Sequence, residues 1–303
     1  MPELPDITLY LEALAPRILD TTLEQIRLSG PFFLRTVTPP LASTFGKRVE
    51  GLERMGKRIV LRLKDDLFLV IHLMIAGRLH WKPKGVKIPG KVGHAAFDFT
   101  DGTLIVTEAG TKKRAGLFCL QGRAGLAALD PGGLEVLSCT RQEFSGRLRA
   151  ENHTLKRTLT DPHLFSGIGN AYSDEILHAA GLSPLKQTKS LSDDEIHRLF
   201  RAVRKVLEEW VDRLRQSNGT GFPEKVTAFR AGMAVHGRYN QPCPVCGTKV
   251  QRIAYAENEC NYCPRCQTGG RLLADRAFSR LLKDDWPKTI EELEMKKMVK
   301  SKE

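Results

Sequence analysis

The spacing of apolar residues along the chain changes from a helical period to a strand period and back to a helical one. Over residues 6–20 apolar side chains recur at helical spacing, and Pro16 is expected to kink or end that helix. Between about residues 22 and 120, short runs rich in branched and aromatic residues alternate with turn signals. These runs are 59–63, 67–73, 96–99 and 103–107. This pattern predicts a β-sandwich or barrel.

The second half of the chain is helical and then cysteine-rich. Pro131-Gly-Gly predicts a linker, and residues 191–214 predict a helix that begins with a capping box of Ser192 and Glu195. Apolar residues then follow on one face of that helix: Ile196, Leu199, Val203, Val206 and Trp210. In the tail after Gln267 we expect an amphipathic helix, carrying Leu273, Ala277 and Leu281, and an exposed charged end.

Charge narrows the classes of partner. The 303 residues include 47 Lys and Arg against 35 Asp and Glu, a formal net charge of +12. Such a surplus suits DNA, RNA or an anionic membrane face, although a merely soluble basic protein has it too. No apolar run reaches the roughly 18 to 20 residues of a membrane helix. The acidic start has no basic segment, so we expect no signal peptide and a cytoplasmic protein.

The strongest chemical signal is a pair of C-x-x-C motifs. Cys243-Pro-Val-Cys246 is followed after 16 residues by Cys263-Pro-Arg-Cys266. This spacing places four thiolates around one tetrahedral Zn²⁺ with a two-stranded ribbon between the motifs; a redox dithiol pair is the alternative. Because four protein ligands leave no open position, the zinc is expected to be structural. Cys260 is interpreted as a non-ligand.

A glycine-rich turn forms a second signal. Residues 156–161 and 171–180 are helical in pattern and flank Ser166-Gly-Ile-Gly-Asn170. Glycines let the backbone approach a ligand closely, Asn170 can cap the next helix, and free N–H groups at a helix start bind phosphate. Such a turn alone is often only a turn. In a basic, zinc-binding chain it favours a site for DNA phosphates.

The chain start offers a nucleophile. Pro2 becomes the N-terminal residue if the initiator Met is removed, and its secondary amine can attack a sugar C1′ to form an iminium. The pKa of an α-amine is roughly 7.7 to 8.0, so an appreciable fraction is unprotonated near neutrality. Glu3 lies beside it as a candidate acid. Taken alone, a Pro-Glu pair is unremarkable.

Five motifs in order carry a family resemblance. They are Pro2-Glu3-Leu4-Pro5, Gly56-Lys57, His72-Leu-Met-Ile-Ala-Gly77, the turn at Gly167 to Asn170, and the paired C-x-x-C motifs. Up to Cys266 the chain resembles the Fpg/Nei (formamidopyrimidine-DNA glycosylase / endonuclease VIII) family of bifunctional DNA glycosylase/AP lyases. The resemblance implies an α+β multidomain fold in which DNA lies between two halves. The implied parts are an N-terminal helix plus β-sandwich (1–130), a helix–two-turn–helix domain (131–235), a zinc finger (236–270) and a C-terminal extension (271–303).

The resemblance also implies residue roles. Pro2 would displace the damaged base and form a Schiff base with the sugar, and Glu3 would protonate the ring oxygen. Lys57 would bind phosphate near the lesion and assist β-elimination, while Lys156 and Asn170 would bind phosphate elsewhere. The implied partner is double-stranded DNA containing damaged bases or abasic sites, bound by a nucleoid-associated monomer that holds one structural Zn²⁺.

Further DNA contacts follow from base flipping, which leaves a gap in the stack. Ile75 corresponds to the family's methionine, Met74 stands just before it, and either side chain would fill that gap as an apolar wedge. His94 falls near the family's DNA-binding histidine. Lys113 or Arg114 would stand in for the arginine of the family's D-P-R-R-F-G stretch, whereas Ala115 occupies the position of its aromatic residue. Contact with the base opposite the lesion is therefore altered.

Two more departures concern single residues. Asp6 replaces the usual Glu, and Asn258 replaces the finger arginine, exchanging a charged fork for a neutral amide. We expect an enzyme that removes oxidised bases and nicks the strand; the alternative is a non-catalytic zinc-ribbon DNA-binding protein of the same fold. The presence of Pro2, Glu3 and Lys57 together favours the enzyme. A preference for purine or pyrimidine lesions stays open.

Overall fold

The computed structural model describes residues 1–255, 258–274 and 287–300. The chain divides into two compact units. Unit 1 comprises Met1–Gly133 and Glu208–Ala228, and unit 2 comprises Leu134–Leu207 and Phe229–Glu303. Among the residues of these described ranges, no helix is long and apolar enough to cross a membrane.

Unit 1 opens with helix α1 (Leu4–Ile18). Its apolar face buries Ile7, Tyr10, Leu14 and Ile18. The helix begins two residues earlier than the sequence pattern predicts and ends two residues after Pro16. Proline removes one backbone donor, but burial of Ile18 holds the last turn in place.

Eight antiparallel strands form the sandwich of unit 1. They are β1 (Thr22–Leu28), β2 (Lys47–Met55), β3 (Arg58–Leu63), β4 (Leu67–His72), β5 (Gly77–Lys82), β6 (Gly93–Phe99), β7 (Gly102–Glu108) and β8 (Gly116–Gln121). One sheet has the order β5-β7-β6-β1 and the other β2-β3-β4-β8, and a short β1–β2 pairing at Thr22 and Leu23 joins them. The predicted β-sandwich is confirmed.

Strand β4 is buried on both faces, which explains its almost continuous apolar sequence. Leu67, Leu69 and Ile71 point into the main core with helix α1, whereas Phe68 and Val70 pack against helix α2 (Gly122–Leu129). The stretch Glu208–Ala228 also belongs to this unit. Its residues Phe222 and Val226 pack on the same main core.

Unit 2 is built from helices α3 (Arg141–Arg149), α4 (Leu155–Thr160), α5 (Asn170–Ala180) and α6 (Asp193–Asn218), of which the last continues into unit 1. The predicted capping box is present: the Ser192 N–H donates to Glu195 at 3.0 Å, and the Glu195 N–H donates to Ser192 Oγ at 3.2 Å. The predicted cap of α5 is wrong. Gly169 is the N-cap, and Asn170 is the first helical residue.

The C-terminal part of unit 2 is a zinc ribbon followed by a returning tail. Its elements are β9 (Gln251–Tyr255), β10 (Asn258–Tyr262), α7 (Pro264–Thr268) and α8 (Ile290–Lys300). The tail pairs with the end of the ribbon, where the Ile290 N–H donates to Gly270 O at 3.1 Å. Of the predicted amphipathic tail helix, Leu273 is not helical, and Ala277 and Leu281 lie outside the described residues.

Candidate functional site

The N-terminal amino group lies in a polar, partly buried environment at the start of α1. Pro2 and Glu3 are buried, and the Glu3 N–H donates to Asp6 Oδ2 at 2.8 Å. Asp6 thus reaches the N-terminal backbone although it is one methylene shorter than the family's usual Glu. Burial lowers the pKa of the Met1 amine, against the raising effects of Glu3 and Asp6. A lowered pKa leaves more of an amine unprotonated near neutrality.

Lys57 occupies the tight turn between β2 and β3. Met55 pairs with Arg58 across this turn. The turn requires a left-handed backbone conformation at Gly56, whose φ is +60°. Burial is the main cause of the lowered pKa of Lys57, while the Glu3 carboxylate raises that pKa. Lys57 in turn acts electrostatically on the terminal amine. The structure therefore brings the predicted catalytic groups into one neighbourhood.

Arg78 belongs to the same charged group, although sequence reasoning missed it. Its guanidinium is the second cause that lowers the pKa of the terminal amine, after burial. The guanidinium also donates to Gly77 O at 2.6 Å and to Ile75 O at 3.3 Å. Arg78 directly follows the H-L-M-I-A-G motif, and this position is the sequence feature that could have identified it.

The turn from Leu73 to Gly77 presents Ile75. The Gly77 N–H donates to Leu73 O at 2.8 Å, and a Cβ on Gly77 would lie 2.1 Å from that oxygen. Only glycine fits there, so the turn is tightly defined. Ile75, within this turn, is 51% exposed. An exposed apolar side chain on a well-defined turn fits the predicted wedge.

Glu108 organises the loop between β7 and β8. Its carboxylate, 1% exposed, accepts the N–H of Arg114 at 3.0 Å and of Ala115 at 3.2 Å, and lies 2.9 Å from His94 Nε2. The Lys113 ammonium donates to the Glu108 carbonyl oxygen. The structure thus groups the predicted residues His94, Lys113 and Arg114 around an acid that sequence reasoning missed. Glu108 ends a strand directly before a basic loop, and this position is the sequence feature that could have identified it.

Within unit 2, Lys156 and Asn170 lie together at the start of α5. The Lys156 ammonium donates to Asn170 O at 2.7 Å, Ser173 Oγ at 2.8 Å and Asp174 Oδ1 at 2.6 Å. The Asn170 side-chain amide donates to Glu259 O of the zinc ribbon at 2.9 Å. Lys156 therefore anchors the helix start, and its charge is balanced by a buried aspartate.

Two acidic residues of α5, Asp174 and Glu175, bind the ribbon and the segment before it. Asp174 Oδ2 lies 2.8 Å from His236 Nδ1 and accepts the Asn261 N–H at 3.2 Å. Glu175 accepts three successive backbone N–H groups, from residues 234, 235 and 236. Because Asn170 and Asp174 lie four residues apart on one face of α5 and both contact the ribbon, the ribbon and the predicted phosphate-binding asparagine hold a fixed relation.

The four predicted cysteine ligands form one cluster. Their Sγ atoms lie within 4.8 Å of one another, with Cys243–Cys266 at 3.9 Å and Cys246–Cys263 at 3.4 Å. Zn–S bonds of about 2.3 Å in a tetrahedron separate sulfurs by about 3.8 Å, so the geometry fits zinc. The prediction of one structural Zn²⁺ is confirmed. Buried Cys260 lies outside this cluster.

The position of the missing finger arginine lies at the start of β10. Asn258 is the first residue of that strand, and its side chain lies outside the described part of the chain. The Arg252 guanidinium lies 3.3 Å from Glu259 Oε2 and 4.4 Å from the centre of the Tyr239 ring. Arg265 is exposed on α7.

Comparison with known proteins gives matches along most of the chain. The formamidopyrimidine-DNA glycosylase N-terminal domain matches residues 1–111, the H2TH domain of the same enzyme matches residues 133–220, and a zinc finger found in FPG and IleRS matches residues 240–269. The formamidopyrimidine-DNA glycosylase of Carboxydothermus hydrogenoformans is 32% identical over 275 residues, which cover 88% of this chain and 100% of the relative. That of Heliobacterium modesticaldum is 33% identical over 281 residues, with the same coverage.

Solved structures agree with this assignment. Lactococcus lactis Fpg in complex with abasic-site DNA matches with a TM-score of 0.78 and 25% identity, covering 88% of this chain and 99% of that chain. MutM in complex with DNA containing carbocyclic 8-oxo-G matches with a TM-score of 0.78 and 26% identity, covering 88% and 100%. The fold expected from the sequence is confirmed.

Proposed function

Because the chain belongs to the formamidopyrimidine-DNA glycosylase family, we propose that Pro2, Glu3 and Lys57 carry out its chemistry. The protein is a base-excision-repair DNA glycosylase with AP lyase activity, and its partner is double-stranded DNA with damaged bases or abasic sites. The observation that supports the residue assignment is the electrostatic grouping of the terminal amine, Glu3 and Lys57.

Base excision begins at the terminal amine. Once Met1 is removed, the unprotonated secondary amine of Pro2 attacks C1′, the new N–C1′ bond forms, and the bond to the damaged base breaks. The base leaves with the electron pair of that bond and takes up the proton that the Pro2 nitrogen loses. Glu3 donates a proton to the sugar ring oxygen, the ring opens, and an iminium joins the protein to the sugar. The buried environment favours this step because it lowers the pKa of an amine placed there.

Strand cleavage follows from the iminium. The positive nitrogen acidifies the C2′ proton; when that proton leaves, the C3′–O bond breaks and the 3′ phosphate departs. Lys57 is suited to hold a phosphate beside the reacting sugar, because an anion favours the ammonium form that burial disfavours. Its tight turn between two strands keeps the ammonium beside Glu3.

DNA binding distributes over both units. In unit 1, Ile75 is the apolar wedge, His94 on β6 contacts the DNA, and Lys113 or Arg114, on the loop that Glu108 organises, stands in for the family's arginine. In unit 2, phosphate contacts are assigned to Lys156, Asn170 and the region of Asn258; Lys156 and Asn170 lie together at the start of α5, and Asn170 contacts the ribbon. Phosphate contacts position the duplex, whereas the pocket chemistry selects the lesion. Because its substrate is DNA, the protein is proposed to act in the cytoplasm, in association with the nucleoid.

Incubation with a panel of lesion-bearing duplexes tests these assignments. The panel contains 8-oxoguanine, formamidopyrimidine, an oxidised pyrimidine and a preformed abasic site, and products are resolved on a denaturing gel. Glu3→Gln should impair base excision more than cleavage at the abasic site, where the sugar already opens. Glu24→Gln, which changes a solvent-accessible carboxylate of unit 1, is the matched control.

The panel also separates the two functional readings. A wild-type protein that binds every duplex and releases no base from any of them would support the non-catalytic DNA-binding alternative. The relative rates on purine and pyrimidine lesions define the substrate preference. Equal loss of both steps in Glu3→Gln would contradict the role of Glu3 as the acid that opens the ring.

A further inference from the structure

Two apolar side chains of unit 1 stand out by their exposure. Phe32 is 84% exposed and Val37 is 88% exposed, more than any other large apolar residue in the described part of the chain. Both lie on the segment that follows β1. A single exposed apolar residue is ordinary on protein surfaces. The setting of Phe32 is what distinguishes it.

The residues around Phe32 are firmly held. Phe33 is buried and stacks on the His94 ring, with centroids 5.1 Å apart and an interplanar angle of 12°. The Arg35 N–H donates to Leu117 O at 2.8 Å, and Leu34 forms a bridge with the same residue. Phe32 therefore occupies a short turn whose next residues are fixed to the sandwich, and its ring stays outside.

This segment lies against the loop predicted to face the strand opposite the lesion. The Arg35 guanidinium donates to Ala115 O at 3.1 Å, and a Cβ on Gly116 would lie 3.0 Å from the Arg35 side chain. His94, which stacks on Phe33, contacts the same Glu108 carboxylate that accepts the Ala115 N–H. The contacts from Phe33 to Ala115 are thus continuous within unit 1.

Ala115 itself cannot provide an aromatic contact. It stands where the family carries an aromatic residue, and it is buried. Its neighbours Lys113 and Arg114, together with Arg35, supply positive charge that suits a DNA backbone. What the loop lacks is a ring, and the adjoining segment exposes one.

We propose that Phe32 stacks on the base left unpaired when the damaged nucleotide flips out. This inference rests on the proposed function, because it requires duplex DNA with a flipped nucleotide. Every base offers a π face, so an aromatic contact binds regardless of which base is opposite. The contact replaces an inserted loop aromatic by a ring from the adjoining turn.

Binding to a duplex with a stable abasic-site analogue provides the test, with 2-aminopurine opposite the site. Phe32→Ala should weaken binding about 5- to 150-fold, the range expected for loss of one base–aromatic stack. The dependence of affinity on salt should stay unchanged, since no charge is removed. The 2-aminopurine should become brighter, because it is no longer stacked, while Phe32→Trp should restore both affinity and quenching.

Val37→Ala is the matched control, because it removes an equally exposed apolar side chain from the same segment. It should leave affinity and fluorescence unchanged. Wild-type affinity and fluorescence in Phe32→Ala would overturn the proposal. Phe32-dependent binding by a protein that excises no base from the panel of lesion-bearing duplexes would contradict the proposed function alone, whereas a wild-type protein that does not bind the duplex would overturn both.

Discussion

Nε2 of His178 lies 3.2 Å from Sγ of Cys243, so helix α5 is hydrogen-bonded directly to a zinc ligand. The same helix begins with Asn170, whose amide contacts the ribbon carbonyl of Glu259. A ring N–H that donates to a thiolate stabilises the thiolate charge and orients the ligand. The zinc site and the predicted phosphate-binding helix are therefore parts of one hydrogen-bonded assembly.

We predict that His178→Phe releases zinc faster than the wild type, because the Cys243 thiolate loses a buried donor. Loss of such an outer contact typically costs about 10- to 100-fold in metal affinity. Transfer of zinc to a chromophoric chelator measures the release. His178→Gln keeps a donor and should lie between the two, and His197→Gln, at an exposed histidine of α6, is the control. Equal release by His178→Phe and the wild type would contradict the role.

Asn258 predicts the chemistry of the product ends. A neutral amide at the finger-arginine position lacks the cation that would stabilise the second departing phosphate. The wild type should therefore nick mainly by β-elimination and leave an unsaturated aldehyde at the 3′ end. Asn258→Arg should shift the products towards 3′-phosphate and raise the salt slope of binding by about one unit.

Arg252 is the control for that experiment, since a nearby arginine could replace the missing one. Its guanidinium contacts the Tyr239 ring at 4.4 Å and Glu259 Oε2 at 3.3 Å, and we expect these two contacts together to keep it from the position of the finger arginine. Arg252→Ala should leave the ratio of product ends unchanged. Predominant 3′-phosphate ends from the wild type would show the prediction to be wrong.

The lowered pKa of His72 predicts that the free energy of unfolding falls at acidic pH. His72 pairs with Arg58 across β3 and β4, and burial, with the charges of Arg58 and Lys57, lowers its pKa to about 4. The unfolded chain has a pKa near 6.5 and binds the proton first, so stability is full above that pH and falls as the pH drops towards 4. The loss should reach about 2 to 3 kcal/mol at pH 4.5.

Denaturant unfolding at pH 7 and pH 4.5 measures this loss. His72→Gln should show a smaller difference between the two pH values than the wild type, because the titrating group is gone. His197→Gln should retain the wild-type difference. An unchanged difference in His72→Gln would mean that His72 does not titrate in this way.

Glu108 predicts the stability of the loop before β8. Replacing it by Ala leaves the buried N–H of Ala115 without its acceptor, at about 1 to 3 kcal/mol, whereas the N–H of the more exposed Arg114 can turn to water. Glu108→Ala should therefore lower the free energy of unfolding by about 1 to 3 kcal/mol. Glu24→Ala, at a more exposed carboxylate, should change it little. Wild-type stability of Glu108→Ala would remove Glu108 from its organising role.

Local features of the sequence predicted the elements that depend on neighbours along the chain. The apolar face of α1 and the Ser192–Glu195 capping box follow from helical geometry, and the cysteine spacing follows from zinc coordination. The cap of α5 failed because Gly169 takes that position, while the Asn170 amide finds a partner 89 residues away. No local pattern encodes such a contact.

The same limit applies to the candidate sites. Sequence motifs named Lys57 and Glu3, but the sheet register and burial that bring their charges together arise only in the folded chain. Glu108 drew no attention because its partners, His94 and two backbone N–H groups, become visible only when β6 and β7 pair.

Borohydride trapping on abasic DNA tests the central claim most directly. Reduction of the Schiff base should yield a covalent protein–DNA adduct that peptide mapping locates on the N-terminal peptide, at the nitrogen of Pro2. Pro2→Gly should lose most turnover and still bind the duplex. An adduct at an internal amine such as Lys57, or no adduct from a protein that binds and cleaves the duplex, would contradict the account.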